Sequence, residues 1–327
     1  MALLLEVKDV HVSFLADAGP VRVLNGAGLS LRAGESLGVV GESGSGKTVL
    51  VRTILGLLQP PWQVLEGSVI FNGEDLLKKK EEELRHIRGK EIALTSPEPR
   101  KHLNPLLRVG DQIANVLQAH RDMPRKGATQ RAVELLKSVG IPDPHLRVGY
   151  YPHELSGGMC QRVIIAMALA HSPKLILADE PTAGLDVTIS RQILDLMRDL
   201  VREFNSSLIL VSRDLGVVAH YCQRVAVIYA GQVVESADVA DFYAGAAHPY
   251  SRHLLRAAAA SRDERRGVAT RLGQRVVFPD KGCAFASRCP VALPLCKEEA
   301  PALEPVADDH LARCLRRAEV LRGETRA

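Results

Sequence analysis

No stretch of this sequence approaches the roughly 20 consecutive apolar residues that cross a bilayer. The longest apolar run, Val163 to Ala170, follows a glycine pair and reads as a buried helix. The opening residues, Met1-Ala2-Leu3-Leu4-Leu5-Glu6, lack a basic segment and a full apolar core, so no secretory signal is expected. The chain is therefore expected in the cytosol, with any membrane association made through partners. Strong charge is also missing. A net charge of +4 gives no ground for nucleic-acid binding and fits a solvated surface. No tandem repeat is present, and no sustained heptads run between Gly89 and Ser156, which excludes a long coiled coil. Six cysteines in a cytosolic chain argue against a disulfide framework.

What is present is ordinary for a globular protein: 46% hydrophobic and 24% charged residues in 327, room for one large domain and a smaller one. Leu3 to Val12 and Leu29 to Leu31 read as strands of an antiparallel lobe, and Gly67 to Phe71 and Glu91 to Leu94 as further strands. Ser36 to Val40 is an apolar strand running into a glycine-rich loop, with a helix expected over Thr48 to Leu58. Helical periodicity takes over from about Arg100 to Ala170 (Val109 to Ala119, Thr129 to Val139, Ser156 to Ala170), which suggests an inserted helical lobe. Strand and helix then alternate from Lys174 to Tyr229, the pattern of a mainly parallel sheet flanked by helices. Val233-Val234-Glu235 and a short helix follow. Ala257 to Ala260 and the charged Arg262 to Arg266 read as a linker to a small cysteine-bearing tail.

The chemistry concentrates in four places. Gly41-Glu42-Ser43-Gly44-Ser45-Gly46-Lys47-Thr48 fits G-x-x-x-x-G-K-[ST] between a strand and a helix. Its glycines let consecutive backbone N–H groups converge on phosphates, and the helix start adds its positive dipole end. Lys47 suits the β- and γ-phosphates and Thr48 a magnesium ion. Leu175-Ile176-Leu177-Ala178-Asp179-Glu180-Pro181 is an apolar strand ending in two acids, with Asp179 a metal residue and Glu180 a candidate base for the attacking water. Leu155-Ser156-Gly157-Gly158-Met159 is a helix start whose hydroxyl and free N–H groups form an anion site, or simply an N-cap with two glycines. Cys283, Cys289, Cys296 and Cys314, spaced C-x5-C-x6-C-x17-C, can hold an iron–sulfur cluster or a zinc ion, or pack a tail as reduced thiols. The spacing does not match the short C-x-x-C knuckles of zinc ribbons.

Together these motifs resemble the nucleotide-binding subunit of an ATP-binding cassette (ABC) transporter. The resemblance implies an α/β P-loop NTPase core with an antiparallel β lobe and a helical lobe, followed by the cysteine-bearing tail. It implies two ATPase subunits stacked head to tail, with Ser156, Gly157 and Gly158 covering the γ-phosphate on the partner's loop. Pro181-Thr182-Ala183-Gly184-Leu185-Asp186 resembles the D-loop of the same interface, with Asp186 at its end. Phe14 resembles the aromatic that stacks on adenine; a core residue on a strand is the other reading. His248-Pro249-Tyr250-Ser251-Arg252-His253-Leu254-Leu255 and Gly282-Cys283-Ala284-Phe285-Ala286-Ser287-Arg288-Cys289-Pro290 resemble the region after the ATPase core in oligopeptide, dipeptide and nickel importers. Boundaries of 1–247 for the ATPase domain and 248–327 for that C-terminal region follow. Within that subfamily the cysteines are matched to a four-iron cluster, the reading the resemblance favours. It further implies ATP and Mg2+ as cofactors, two permease subunits and a second ATPase subunit as partners, an extracytoplasmic solute-binding protein as an indirect partner, and a peripheral place on the cytoplasmic face of the inner membrane.

Two positions depart from the family. In Ile209-Leu210-Val211-Ser212-Arg213-Asp214-Leu215 the switch histidine is replaced by Arg213. A neutral histidine both donates and accepts, whereas arginine only donates and stays charged. Aligning on Leu103-Asn104-Pro105 puts Pro97 where a glutamine belongs, and no glutamine stands nearby in Thr95-Ser96-Pro97-Glu98-Pro99-Arg100. The expectation is an own ATP site that binds Mg-ATP and hydrolyses it slowly, with an intact signature serving a competent partner in a heterodimer. The alternatives are a non-transport ABC ATPase and a regulatory subunit. One phosphate loop argues against the two-unit translation factors, and the missing coiled coil against repair ATPases.

Overall fold

A computed structural model describes residues 2–17, 19–259 and 281–323. The linker expected at Arg262 to Arg266 lies outside them, as does Ala260. In chain order the elements are β1 (Leu3–Ala16), β2 (Gly19–Arg32), β3 (Ser36–Val40), α1 (Lys47–Ile54), β4 (Trp62–Phe71), β5 (Glu74–Asp75), α2 (Glu81–Ile87), β6 (Ile92–Thr95), α3 (Pro99–His102), α4 (Val109–His120), α5 (Arg125–Ser138) and α6 (Pro144–Arg147). They continue as α7 (Gly157–Leu169), β7 (Leu175–Asp179), α8 (Val187–Glu203), β8 (Ser207–Ser212), α9 (Leu215–Tyr221), β9 (Arg224–Tyr229), β10 (Gln232–Asp238), α10 (Val239–Ala244), α11 (Pro249–Ala259), β11 (Glu304–Ala307), β12 (His310–Ala312) and α12 (Arg317–Leu321). These elements form two compact units: Met1–Arg32, Ser36–Leu77 and Ser212–Ala327 in one, Ala33–Glu35 and Lys78–Val211 in the other.

The first unit carries an antiparallel sheet in the order β2-β1-β4-β5. Alternation along β1 sends Leu5 and Val7 inward and, after a bulge between Val7 and Val10 shifts the phase, Val10 and Val12, all buried with Leu24 and Leu31 of β2. In the same unit β3 pairs parallel with β9, and β9 pairs antiparallel with β10. The tail joins this sheet: β12 pairs with β10 (Glu235 opposite Ala312) and β11 with β12. Buried Glu235 anchors the join. It accepts from the N–H groups of Ala247 and His248 at 2.6 and 2.9 Å and lies 2.7 Å from His310 Nε2. These three contacts satisfy a carboxylate that burial would otherwise penalise.

The second unit stacks β6, β7 and β8 in parallel. Every residue of β7 is buried, as a central parallel strand requires. Helix α8 is strongly amphipathic, burying Ile193, Leu194, Met197, Leu200 and Val201 at helical spacing. Helices α4, α5 and α7 pack together, with Ile113, Leu117, Ala132, Leu136, Val163 and Ala166 buried.

Several bounds differ from those expected. The strand expected at Leu29 to Leu31 is the end of a 14-residue β2, whose alternation is hidden by Asn25-Gly26-Ala27-Gly28 and by register shifts against β1. Likewise β4 begins at Trp62 rather than Gly67. Helix α1 stops at Ile54, not Leu58, with Gly56 at φ 60 just past its end. Ala257 to Ala259 are the last turn of α11 rather than linker, in keeping with alanine's helix preference.

Candidate functional site

The turn from Gly41 to Gly46 joins β3 to α1. Gly46 is the N-cap of α1 with φ 104, and a Cβ there would come within 2.9 Å of Leu24 Cδ2. Only glycine fits such a position. Lys47 is buried, and its ammonium donates to the carbonyl oxygens of Gly41 and Glu42 at 2.8 Å each and to Ser45 Oγ at 3.5 Å. Ser43, Gly44 and Thr48 are exposed, with Thr48 on the first turn of α1.

Two residues from beyond position 247 hold this loop, and sequence reading gave neither a role. The N–H of Glu42 donates to the Tyr250 hydroxyl at 3.0 Å. The Glu42 carboxylate accepts from both terminal nitrogens of Arg288, at 3.2 and 3.4 Å, and Arg288 also donates to the Tyr229 hydroxyl at 3.1 Å. Arg213 is exposed and lines a cleft of about 450 Å³ with Gly41, Glu42, Asp214 and Leu254. Asp214 caps α9, accepting from Gly216 N–H at 2.7 Å. Phe14 is half-buried on β1 opposite Trp62 of β4, the ring centroids 4.9 Å apart edge to face. Trp62 was missed because its strand was read as starting later.

In the second unit Asp179 ends β7, 4% exposed. Glu180 follows at φ 43, and its N–H donates to Val211 O at 3.1 Å. A glutamate in the left-handed region is uncommon and is held there by its surroundings. Ser156 is exposed and caps α7, its Oγ accepting from Met159 N–H at 3.3 Å. A Cβ on Gly158 would meet Ile189 Cγ2 of α8 at 2.7 Å, so glycine permits the start of α7 to close on α8. Asp186 caps α8, its Oδ1 accepting from Ile189 N–H at 2.9 Å. The starts of α7 and α8 thus sit side by side. Pro97 lies between β6 and α3. Farther along, buried Gln112 bridges Asn104 N–H, Asn104 O and Leu107 O at 2.9 to 3.0 Å, bracing a loop whose Leu106 is 83% exposed. Nothing in the sequence pattern marked Gln112.

Cys283, Cys289, Cys296 and Cys314 all line one small cavity in the first unit, together with His248 and Phe285. No three of the four sulfurs lie within 4.8 Å of one another among the described residues. Burial raises the thiols of Cys283 and Cys289 above their usual pKa and takes Cys314 to about 12, with the other thiols adding to the rise.

The fold and these motifs agree with the comparisons. A model described as "ABC transporter" matches residues 24–183, and one described as "Oligopeptide/dipeptide transporter, C-terminal region" matches residues 234–296. A probable peptide ABC transporter ATP-binding protein of Sinorhizobium fredii is 44% identical, covering 98% of this chain and 96% of the relative. The chain belongs to the family of ABC transporter ATP-binding proteins. Other members are the oligopeptide transport ATP-binding protein OppD of Bacillus subtilis (45% identical, covering 95% of this chain and 88% of that one) and the dipeptide transport ATP-binding protein DppD of Escherichia coli (42%, covering 95% and 96%). Among solved structures, the dimeric ATP-binding cassette MJ0796 bound to ADP and Pi has a TM-score of 0.65 at 27% identity, covering 72% of this chain and 99% of that one. As an ABC ATPase the chain uses ATP and Mg2+ and couples ATP hydrolysis to transport.

Proposed function

We propose that this ABC ATPase energises import of peptides or chemically similar small solutes through two membrane permease subunits, and that it works beside a second, different ATPase subunit. Residues 1–247 are the nucleotide-binding domain and residues 248–327 the importer-type tail. Support for the substrate class comes from the oligopeptide and dipeptide relatives and the match of the C-terminal region. No helix among the described residues is long and apolar enough to cross a membrane, which suits a peripheral subunit on the cytoplasmic face. A solute-binding protein on the far side would be an indirect partner.

Each residue's role follows its motif. Gly41, Ser43, Gly44, Ser45 and Gly46 offer backbone N–H groups to the phosphates, and Lys47 turns from the loop carbonyls to the β- and γ-phosphates. Thr48 and Asp179 hold Mg2+. Phe14, with Trp62 beside it, offers the adenine platform. Glu180 orients the attacking water. Ser156, Gly157 and Gly158, with Asp186, complete the partner's site rather than their own.

The observation that carries the asymmetry is Arg213, exposed at the cleft beside Gly41 and Glu42 in the place of the switch histidine. A donor-only cation there grips phosphate oxygens and accepts no proton from the attacking water's network. Pro97 removes a second helper. The signature, by contrast, keeps its cap and its exposure. The own site therefore binds Mg-ATP and turns it over slowly. The test is steady-state ATPase of the purified chain alone and with the ATPase subunit recovered from membranes. Slow turnover alone and fast turnover in the pair are expected. Brisk turnover by the chain alone, abolished by Glu180→Gln, would overturn the asymmetry.

The four cysteines suit an iron–sulfur cluster, since all face one apolar cavity. A lone zinc, about 2.3 Å from each of four sulfurs, needs them closer together than they lie. Such a cluster, when bound, would tie four separate positions of the tail into one rigid body. Iron and sulfide analysis with a visible absorption band, measured anaerobically, tests this.

A further inference from the structure

The tail reaches the phosphate loop through a short, well-defined path. Cys283 to Cys289 form a tight turn: Ala286 N–H donates to Cys283 O, Arg288 N–H to Phe285 O, and Cys283 N–H to Cys296 O at 2.7 Å. Phe285 is buried from this turn against Tyr229, Tyr250 and His248, with ring centroids 5.2, 5.5 and 5.8 Å away. One residue before Cys289, Arg288 extends to Glu42. The pair is largely withdrawn from water, with side-chain exposures of 10% for Arg288 and 17% for Glu42. Glu42 is the second residue of the phosphate loop. Its N–H is held by Tyr250, its carbonyl by Lys47 and its carboxylate by Arg288, so all three of its polar groups are fixed.

We propose that the cysteine-bearing tail is a latch on the phosphate loop: Arg288 and Tyr250 are positioning residues that hold Glu42, so that the state of the four cysteines is read out as nucleotide affinity. The inference rests on the reading that the chain's own loop binds Mg-ATP. Two physical effects act together. Arg288 neutralises a carboxylate that would otherwise stand, poorly solvated, beside polyanionic phosphates. Tyr250 and Arg288 also fix the loop before nucleotide arrives, which removes an ordering cost from binding. Because Arg288 lies between two cavity-lining cysteines, whatever draws those thiols together sets where its guanidinium stands. The two states are then coupled reciprocally: what tightens the cysteine cavity tightens nucleotide binding, and nucleotide stabilises the cavity.

The experiment titrates the full chain with a fluorescent ATP analogue and Mg2+, with iron and sulfide measured on every sample. Arg288→Met is expected to weaken the analogue by about fivefold or more, within the usual range of such couplings. Adding Glu42→Gln to Arg288→Met is expected to recover most of that loss, because the stranded carboxylate is gone; a merely structural arginine would not be rescued this way. Cys289→Ser is expected to weaken binding in the unaltered chain and to add nothing in the Arg288→Met background. Tyr250→Phe, which removes only a hydroxyl, is expected to weaken binding two- to threefold, and it decides the matter if Arg288→Met fails to fold. Affinity within error of the unaltered chain for Arg288→Met or Tyr250→Phe overturns the latch. A Cys289→Ser variant with unchanged affinity overturns the cysteine link. A chain free of iron and sulfide defeats the cluster reading alone, while the Arg288 and Glu42 comparison still decides the latch.

Discussion

The phosphate-loop region and the Ser156-Gly157-Gly158 region of this ABC ATPase differ in what holds them: contacts from far along the chain brace the first, and local helix caps shape the second. Around the loop, Gly46 caps α1, Lys47 donates to the carbonyls of Gly41 and Glu42, Arg213 lines the adjoining cleft, and two residues from beyond position 247 brace Glu42. Around the Ser156-Gly157-Gly158 run, Ser156 caps α7, Gly158 lets α7 meet α8, and Asp186 caps α8. On the proposed reading the first region holds nucleotide and the second acts on nucleotide held by a partner, so that one chain would be strong in one half-site and weak in the other.

The largest effect should come from the signature. Ser156→Arg fills the anion site at the start of α7, and ATPase of the two-subunit complex should fall by about 100-fold or more, as loss of preorganised donors does elsewhere. Binding of ATP analogue by this chain alone should change little. If the complex kept its rate, the signature would not serve the partner. A smaller effect, of opposite sign, is expected from Arg213→His. Restoring a side chain that donates and accepts should raise single-turnover hydrolysis by the chain's own site about tenfold, at the low end of acid–base contributions. No gain would mean that Pro97 or another change sets the rate. The smallest effect is structural. Asp186→Ala removes the N-cap of α8 and should cost about 1 kcal/mol in urea unfolding. A cost near zero would make Asp186 an interfacial residue only.

The same contrast marks what the sequence could tell. Local chemistry was legible. A strand running into a glycine-rich turn, a serine capping a helix and an apolar strand ending in Asp179 are set by neighbours in the chain, and the structure keeps each. Contacts between distant residues were not. Arg288 and Glu42 lie 246 positions apart, and no periodicity or spacing points from one to the other. Trp62 meets Phe14 only because β4 pairs with β1 across bulges that hide its alternation. The convergence of Cys283, Cys289, Cys296 and Cys314 on one cavity likewise depends on folding, since a spacing of C-x5-C-x6-C-x17-C admits many arrangements. Gln112 gives no signal at all, since a buried glutamine looks in sequence like any polar residue on a helix.

The central claim is that this chain's own ATP site contributes little turnover while its signature supports the partner's. The most direct measurement is the steady-state ATPase rate of the recovered two-subunit complex carrying Glu180→Gln in this chain. The account predicts a rate within about twofold of the unaltered complex, because Glu180 serves the slow site. A collapse of turnover to background would contradict it and make this chain's own site the working one.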